Sequence, residues 1–140
     1  MDISKALMTP VIALVAWTHF MWLWMYLTRV PAILKARMRL DPNAIRGEQM
    51  SQLPPNVRWK ADNYNHLLEQ PTVFYAVVLA MAMLGDRSEN SLMLAWIYVG
   101  LRVVHSFFQS LANIITVRFV MFVTMSLVLI ALTVRAVMLL

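Results

Sequence analysis

Long apolar stretches alternate with short polar ones along the chain, and four are long enough to read as membrane-spanning helices over about residues 6–34, 62–84, 91–112 and 116–139. An uncharged run of about 20 residues crosses a hydrocarbon core of about 30 Å. In the second span the wholly apolar part, Thr72 to Leu84, is too short to cross alone, so the polar turns from Asn63 to Gln70 belong to the same helix. Pro71 lacks an N–H and crowds the carbonyl of Leu67, so a bend is expected there. Asp41-Pro42-Asn43 and Pro54-Pro55 bound the one long polar loop, about residues 35–61. Asp86 to Asn90 and Asn113 to Val117 are tight connections. The pattern predicts an all-α, up-down four-helix membrane bundle, one domain over residues 1–140.

Composition strengthens this reading. Of 140 residues, 61% are hydrophobic, against roughly 45–50% in soluble domains. The mean hydropathy is +0.66. The absence of cysteine excludes disulfides, thiolate metal sites and a cysteine nucleophile. The N-terminal apolar run carries no small-residue cleavage signature and reads as a retained helix.

Charge adds orientation. The net charge of +5 resides entirely between Arg29 and Lys60, where seven basic residues face only Asp41 and Glu48. A cluster confined to one loop argues against nucleic-acid binding and marks that loop as cytoplasmic. Both termini then lie on the non-cytoplasmic side. The polar start of span two, the polar stripe of span three and Arg118 converge in the cytoplasmic half.

That convergence holds the candidate chemistry. Asn65 and Glu69 share a helix face, with His66 beside them. On span three, Arg102, His105, Gln109 and Asn113 recur at helical spacing and form one polar stripe. Glu69 and Arg102 suit an ion pair, either structural or functional. Arg102, His105, Gln109 and Arg118 suit an anionic ligand, and an arginine beside a thiol favours its ionised form. Taken alone, Arg118 also reads as a headgroup anchor. Haem ligation by His19 and His105 fails on depth, with a mismatch of roughly 12 Å. No metal site, phosphate loop or hydrolase motif stands out. The scattered methionines read as packing or lipid-facing residues.

Several of these stretches together resemble the MAPEG superfamily, membrane-associated proteins in eicosanoid and glutathione metabolism, especially its small bacterial members. The resemblance rests on the basic run into Asp41-Pro42, Asn-His-Leu-Leu-Glu-Gln-Pro at 65–71, the following Val-Phe-Tyr, and Arg102-Val-Val-His105. The spacing of Arg102 and Arg118 is similar to the family's as well. The resemblance implies a homotrimer in a bacterial inner membrane, with glutathione as cosubstrate between subunits and a lipophilic small molecule as acceptor. It implies that Arg118 activates the thiol. Glutathione contacts are implied for Glu69 and Arg102, with Asn65, His66, His105 and Gln109 around them. The chain departs from the family pattern at Asp62, where an arginine is usual, at His66, where an asparagine is usual, and at His105 and Gln109, where some members carry tyrosines. The expected function is therefore glutathione-dependent transfer or peroxide reduction. The alternative is a non-catalytic membrane module that binds a lipid or a membrane-protein partner. A third reading is a small transporter with Glu69 as its proton-coupled carboxylate.

Overall fold

A computed structural model describes residues 2–140, and among them every regular element is helical. A short helix α1 (Ile3–Ala6) leads directly into α2 (Met8–Lys35), and together they form span one. Span two is divided into α3 (Pro55–Leu67) and α4 (Gln70–Met83). Span three is α5 (Glu89–Phe107), continued by a π-helical turn over Phe108–Ala112. Span four is α6 (Ile115–Val137). The four spans are 33, 29, 24 and 23 residues long and apolar enough to cross a membrane. At 1.5 Å per residue they reach roughly 35–50 Å, more than the hydrocarbon core requires.

Local chemistry sets the ends of these helices. The Asp2 carboxylate accepts from the Ser4 backbone N–H at 3.1 Å and caps α1. Spans one and two end in the same way. Met38 N–H donates to Ile33 O and Arg37 N–H to Leu34 O, with Arg37 at φ +49. Asp86 N–H donates to Met81 O and Gly85 N–H to Ala82 O, with Gly85 at φ +76. Both are left-handed terminations that satisfy the last free carbonyls, and glycine adopts the required φ without a Cβ penalty. Pro55 is the first residue of α3, where its missing N–H costs nothing. Span two therefore starts upstream of residue 62, and Arg58, Lys60 and Asp62 are helical. Pro31 lies within α2 without ending it.

Around the bundle α2, α4, α6 and α5 follow one another, and α3 lies along α2 and the π-turn. The interior is a continuous apolar cluster that includes Leu14, Met21, Phe74, Val78, Met81, Tyr98, Met125 and Leu132. Phe74 and Tyr98 stack with centroids 4.5 Å apart and rings 10° from parallel. In lipid, apolar burial between helices brings no water-exclusion gain, so such close contacts and interhelical hydrogen bonds hold the bundle together. At the end distant from the basic loop, Arg135 ties span four to span three by donating to Ser91 Oγ at 2.8 Å and Ser88 Oγ at 2.6 Å. Trp17 Nε1 donates to Ser106 Oγ at 3.1 Å and ties span one to span three. Large apolar side chains on the outer faces, among them Leu27, Phe119, Leu127 and Ile130, are exposed as a lipid-facing surface requires.

Candidate functional site

The division of span two creates the site. Pro71 supplies no N–H for the Leu67 carbonyl, and the chain responds with short-range bonds: Leu68 N–H to Asn65 O, Glu69 N–H to His66 O and Thr72 N–H to Glu69 O. The Thr72 hydroxyl also donates to Glu69 O at 2.6 Å. A new helix, α4, therefore begins inside the span, with the Glu69 carboxylate at its positive end. A cavity of about 250 Å³ lies at this break, lined by His66, Glu69, Gln70, Pro71, Arg102 and Phe122.

Arg102 is the principal cation of this cavity. It is only 2% exposed. Its Nη1 donates to His105 Nδ1 at 2.6 Å, and its Nη2 donates to Asn63 Oδ1 at 3.4 Å. A guanidinium has only donors, so His105 Nδ1 is the acceptor and the neutral ring carries its proton on Nε2. The guanidinium is thus held by neutral groups, while Glu69 shares the cavity wall without being hydrogen-bonded to it. Arg102 Nε is buried without a partner. A buried charge that lacks a countercharge is costly and favours an anion beside it.

Gln70 is fixed from two sides. Its Oε1 accepts from the Tyr98 hydroxyl at 3.2 Å, and its Nε2 donates to Ser126 Oγ at 2.8 Å. Spans two, three and four thereby meet at the cavity wall. One amide hydrogen of Gln70 is left over from this relay.

The structure distributes the residues singled out in the sequence unevenly. His66, Glu69 and Arg102 share the cavity. His105 is buried behind Arg102, as their hydrogen bond requires. Gln109 is 1% exposed, in the π-turn, with both amide atoms unpartnered. Asn65 is exposed and is not on the cavity wall. Arg118 is also off the wall; it donates to Asn113 Oδ1, whose backbone is left-handed at φ +50. Arg118 is nonetheless close enough for its charge to act on His66, Arg102 and His105. It stands in the first turn of α6, where the helix dipole disfavours a cation. Two arginines and the positive ends of α4 and α6 therefore combine in one electropositive region.

Asn63, Gln70, Tyr98 and Lys60 also belong to this region and were not candidates in the sequence. Lys60 is 7% exposed; its Nζ donates to Asn56 O at 2.8 Å and Ser110 O at 3.4 Å and lies 5.2 Å from the Trp24 ring centroid. Tyr98 lies four residues before Arg102, so extending the polar stripe back by one turn would have found it. Asn63 lies seven before Gln70, a spacing that an unbroken helix would put on one face.

A divided helix with a cavity beside a buried arginine, inside a bundle of four spans, defines a multi-pass membrane protein. The model of the MAPEG family matches residues 7–138, nearly the whole chain, and the protein belongs to that family. Comparison with curated proteins finds no match, and comparison with solved structures finds none.

Proposed function

We propose that the cavity binds glutathione and that the protein transfers its sulfur to lipophilic electrophiles or uses it to reduce peroxides. The observation that carries this reading is Arg102, a buried guanidinium at a cavity wall with neutral partners and a free Nε. An anionic peptide supplies the missing countercharge. The donor set fits such a ligand: Arg102 for a carboxylate, Glu69 for an ammonium group, and His66 and Gln70 for amides. A cavity of about 250 Å³ accommodates part of a tripeptide, so the remainder extends toward Arg118 or a neighbouring subunit. Arg118 would hold the sulfur as thiolate, while its proton passes to water. In transfer to an aryl halide, a bond forms from sulfur to the ring carbon as the carbon–halogen bond breaks and halide leaves; in peroxide reduction, two glutathione thiols become the disulfide while the O–O bond is cleaved to alcohol and water. Positioning and charge stabilisation are then the contributions of this chain.

This reading includes a homotrimer of single four-span domains in a bacterial inner membrane. The seven cationic residues between Arg29 and Lys60, in the loop and the helix ends that flank it, support a cytoplasmic connection between spans one and two and non-cytoplasmic termini. The acceptor would enter from lipid. Arg118→Ala, purified as the same oligomer as wild type, is expected to lose about a hundredfold or more in glutathione-dependent turnover of a general aryl halide, the scale of losing one preorganised charge contact. Full turnover in that variant would refute the catalytic assignment.

The second reading is a non-catalytic module that binds a lipid or a membrane-protein partner. It is favoured by the engagement of Arg118 with Asn113, away from the cavity wall. Under it, the same electropositive region takes an anionic headgroup, and wild-type protein shows no turnover with any electrophile.

A further inference from the structure

The corner between spans three and four gives one residue two tasks. Asn113 ends the π-helical turn: its N–H donates to Phe108 O at 2.6 Å, and its backbone is left-handed at φ +50 and ψ +38. Glycine and asparagine are the residues that suit a left-handed terminus. Glycine would meet the backbone requirement with less strain, but it would supply no side-chain oxygen. Asn113 Oδ1 accepts from Arg118 Nη1, five residues on. The bond reaches from the end of span three into the first turn of α6.

Without that bond, three effects drive the Arg118 side chain outward. It stands at the positive end of α6, where a cation is disfavoured. Arg102 is near enough to repel it. Its length lets a guanidinium at a helix end snorkel to headgroups and water. Arg118 is nonetheless half-buried, with Nε out of solvent and unpartnered. Among the described residues, the Asn113 amide is the one hydrogen-bond partner of its side chain.

We propose that Asn113 is a positioning residue whose side-chain carbonyl tethers the Arg118 guanidinium near the cavity, against its drift toward the headgroups. The consequence for sulfur chemistry rests on the glutathione reading. Under it, a guanidinium kept in the electropositive region stabilises a thiolate, and one that has swung into water does not. Asn113 itself carries no proton and touches no reacting atom.

The test compares wild type with Asn113→Gly and Asn113→Asp, each as the full chain in lipid nanodiscs. Both replacements tolerate the left-handed backbone, and only aspartate keeps an acceptor. Phenylglyoxal, which modifies accessible guanidinium groups, is applied without glutathione. Modification of Arg118 is followed by mass spectrometry, with Arg135 as internal reference. Arg118 should react about tenfold faster in Asn113→Gly than in wild type, the scale of one hydrogen bond to a charged group. In Asn113→Asp it should react no faster than in wild type. Equal rates in wild type and Asn113→Gly, or equally fast modification in both variants, would overturn the tether. The second readout is the ultraviolet absorbance of thiolate in bound glutathione, which a purely structural role would not move. Saturated wild type should show it, and saturated Asn113→Gly should lose most of it. Full thiolate absorbance in Asn113→Gly would overturn the positioning role. If wild type binds no glutathione, or binds it as the thiol, the glutathione reading fails, and the modification rates alone decide whether Asn113 holds Arg118.

Discussion

Tyr98 shows how one side chain can serve packing and the site at once. Its ring stacks on Phe74 in the core, and its hydroxyl reaches Gln70 on the cavity wall. Tyr98→Phe keeps the stack and removes only the hydroxyl. Unfolding by sodium dodecyl sulfate should then show a loss of about 0.5–1.5 kcal/mol, the net worth of one hydrogen bond. Glutathione affinity should fall several-fold, because Gln70 loses one of its two anchors. Unchanged affinity together with that loss of stability would confine Tyr98 to packing. Arg102 illustrates a different balance. Its partners His105 and Asn63 are neutral, so the hydrogen bonds orient the charge without cancelling it. An ion pair with Glu69 would have offset the charge and weakened the case for an anionic ligand.

Among the elements, the division of span two matters most. Pro71→Ala restores an N–H that can reach the Leu67 carbonyl and lets α3 run into α4. The protein should become equally or more resistant to unfolding, while glutathione affinity drops about tenfold or more, since Glu69 and Gln70 rotate away from Arg102. Calorimetry and SDS titration on the same preparation would check both halves; affinity at the wild-type level would show that the division is incidental. Much of this element was legible in the sequence, because Pro71 has a local, one-residue effect on helix geometry. The polar stripe of span three was legible for the same reason, since 3.6-residue periodicity needs no tertiary information. Other features depend on packing that no local pattern encodes. Asn63 is buried only because α3 lies against the π-turn, and Arg118 turns to Asn113 only because Asn113 is left-handed. Asn65 illustrates the converse. It shares a helix face with Glu69 in an unbroken helix, and the break at Leu68 and Glu69 separates them. The early start of α3 at Pro55 was hidden because Arg58, Lys60 and Asp62 resemble loop residues, whereas Lys60 is buried against Trp24 and Ser110.

On the scale of the whole molecule, charge and burial are segregated. The basic loop gathers the net charge at one end, and the buried polar groups Asn63, Arg102, His105 and Gln109 lie in the half of the bundle nearest to it. The opposite end is closed by the Arg135 contacts to Ser88 and Ser91. Unpartnered buried atoms on Asn63, Arg102 and Gln109 concentrate in that polar half. Each costs about 1–3 kcal/mol when left unsatisfied, so a polar ligand that reaches them should stabilise the bundle as it binds. The central claim is that this region recognises an anionic thiol peptide, and family membership sets that expectation for the chain as a whole. The most direct measurement is calorimetric titration of glutathione into detergent-purified wild-type protein, with Glu69→Gln and Arg102→Lys as paired variants. The account predicts saturable binding to wild type and a loss of about tenfold or more in each variant, with the oligomer intact. No saturation at millimolar glutathione in intact wild-type oligomers, or equal affinity in all three proteins, would contradict it.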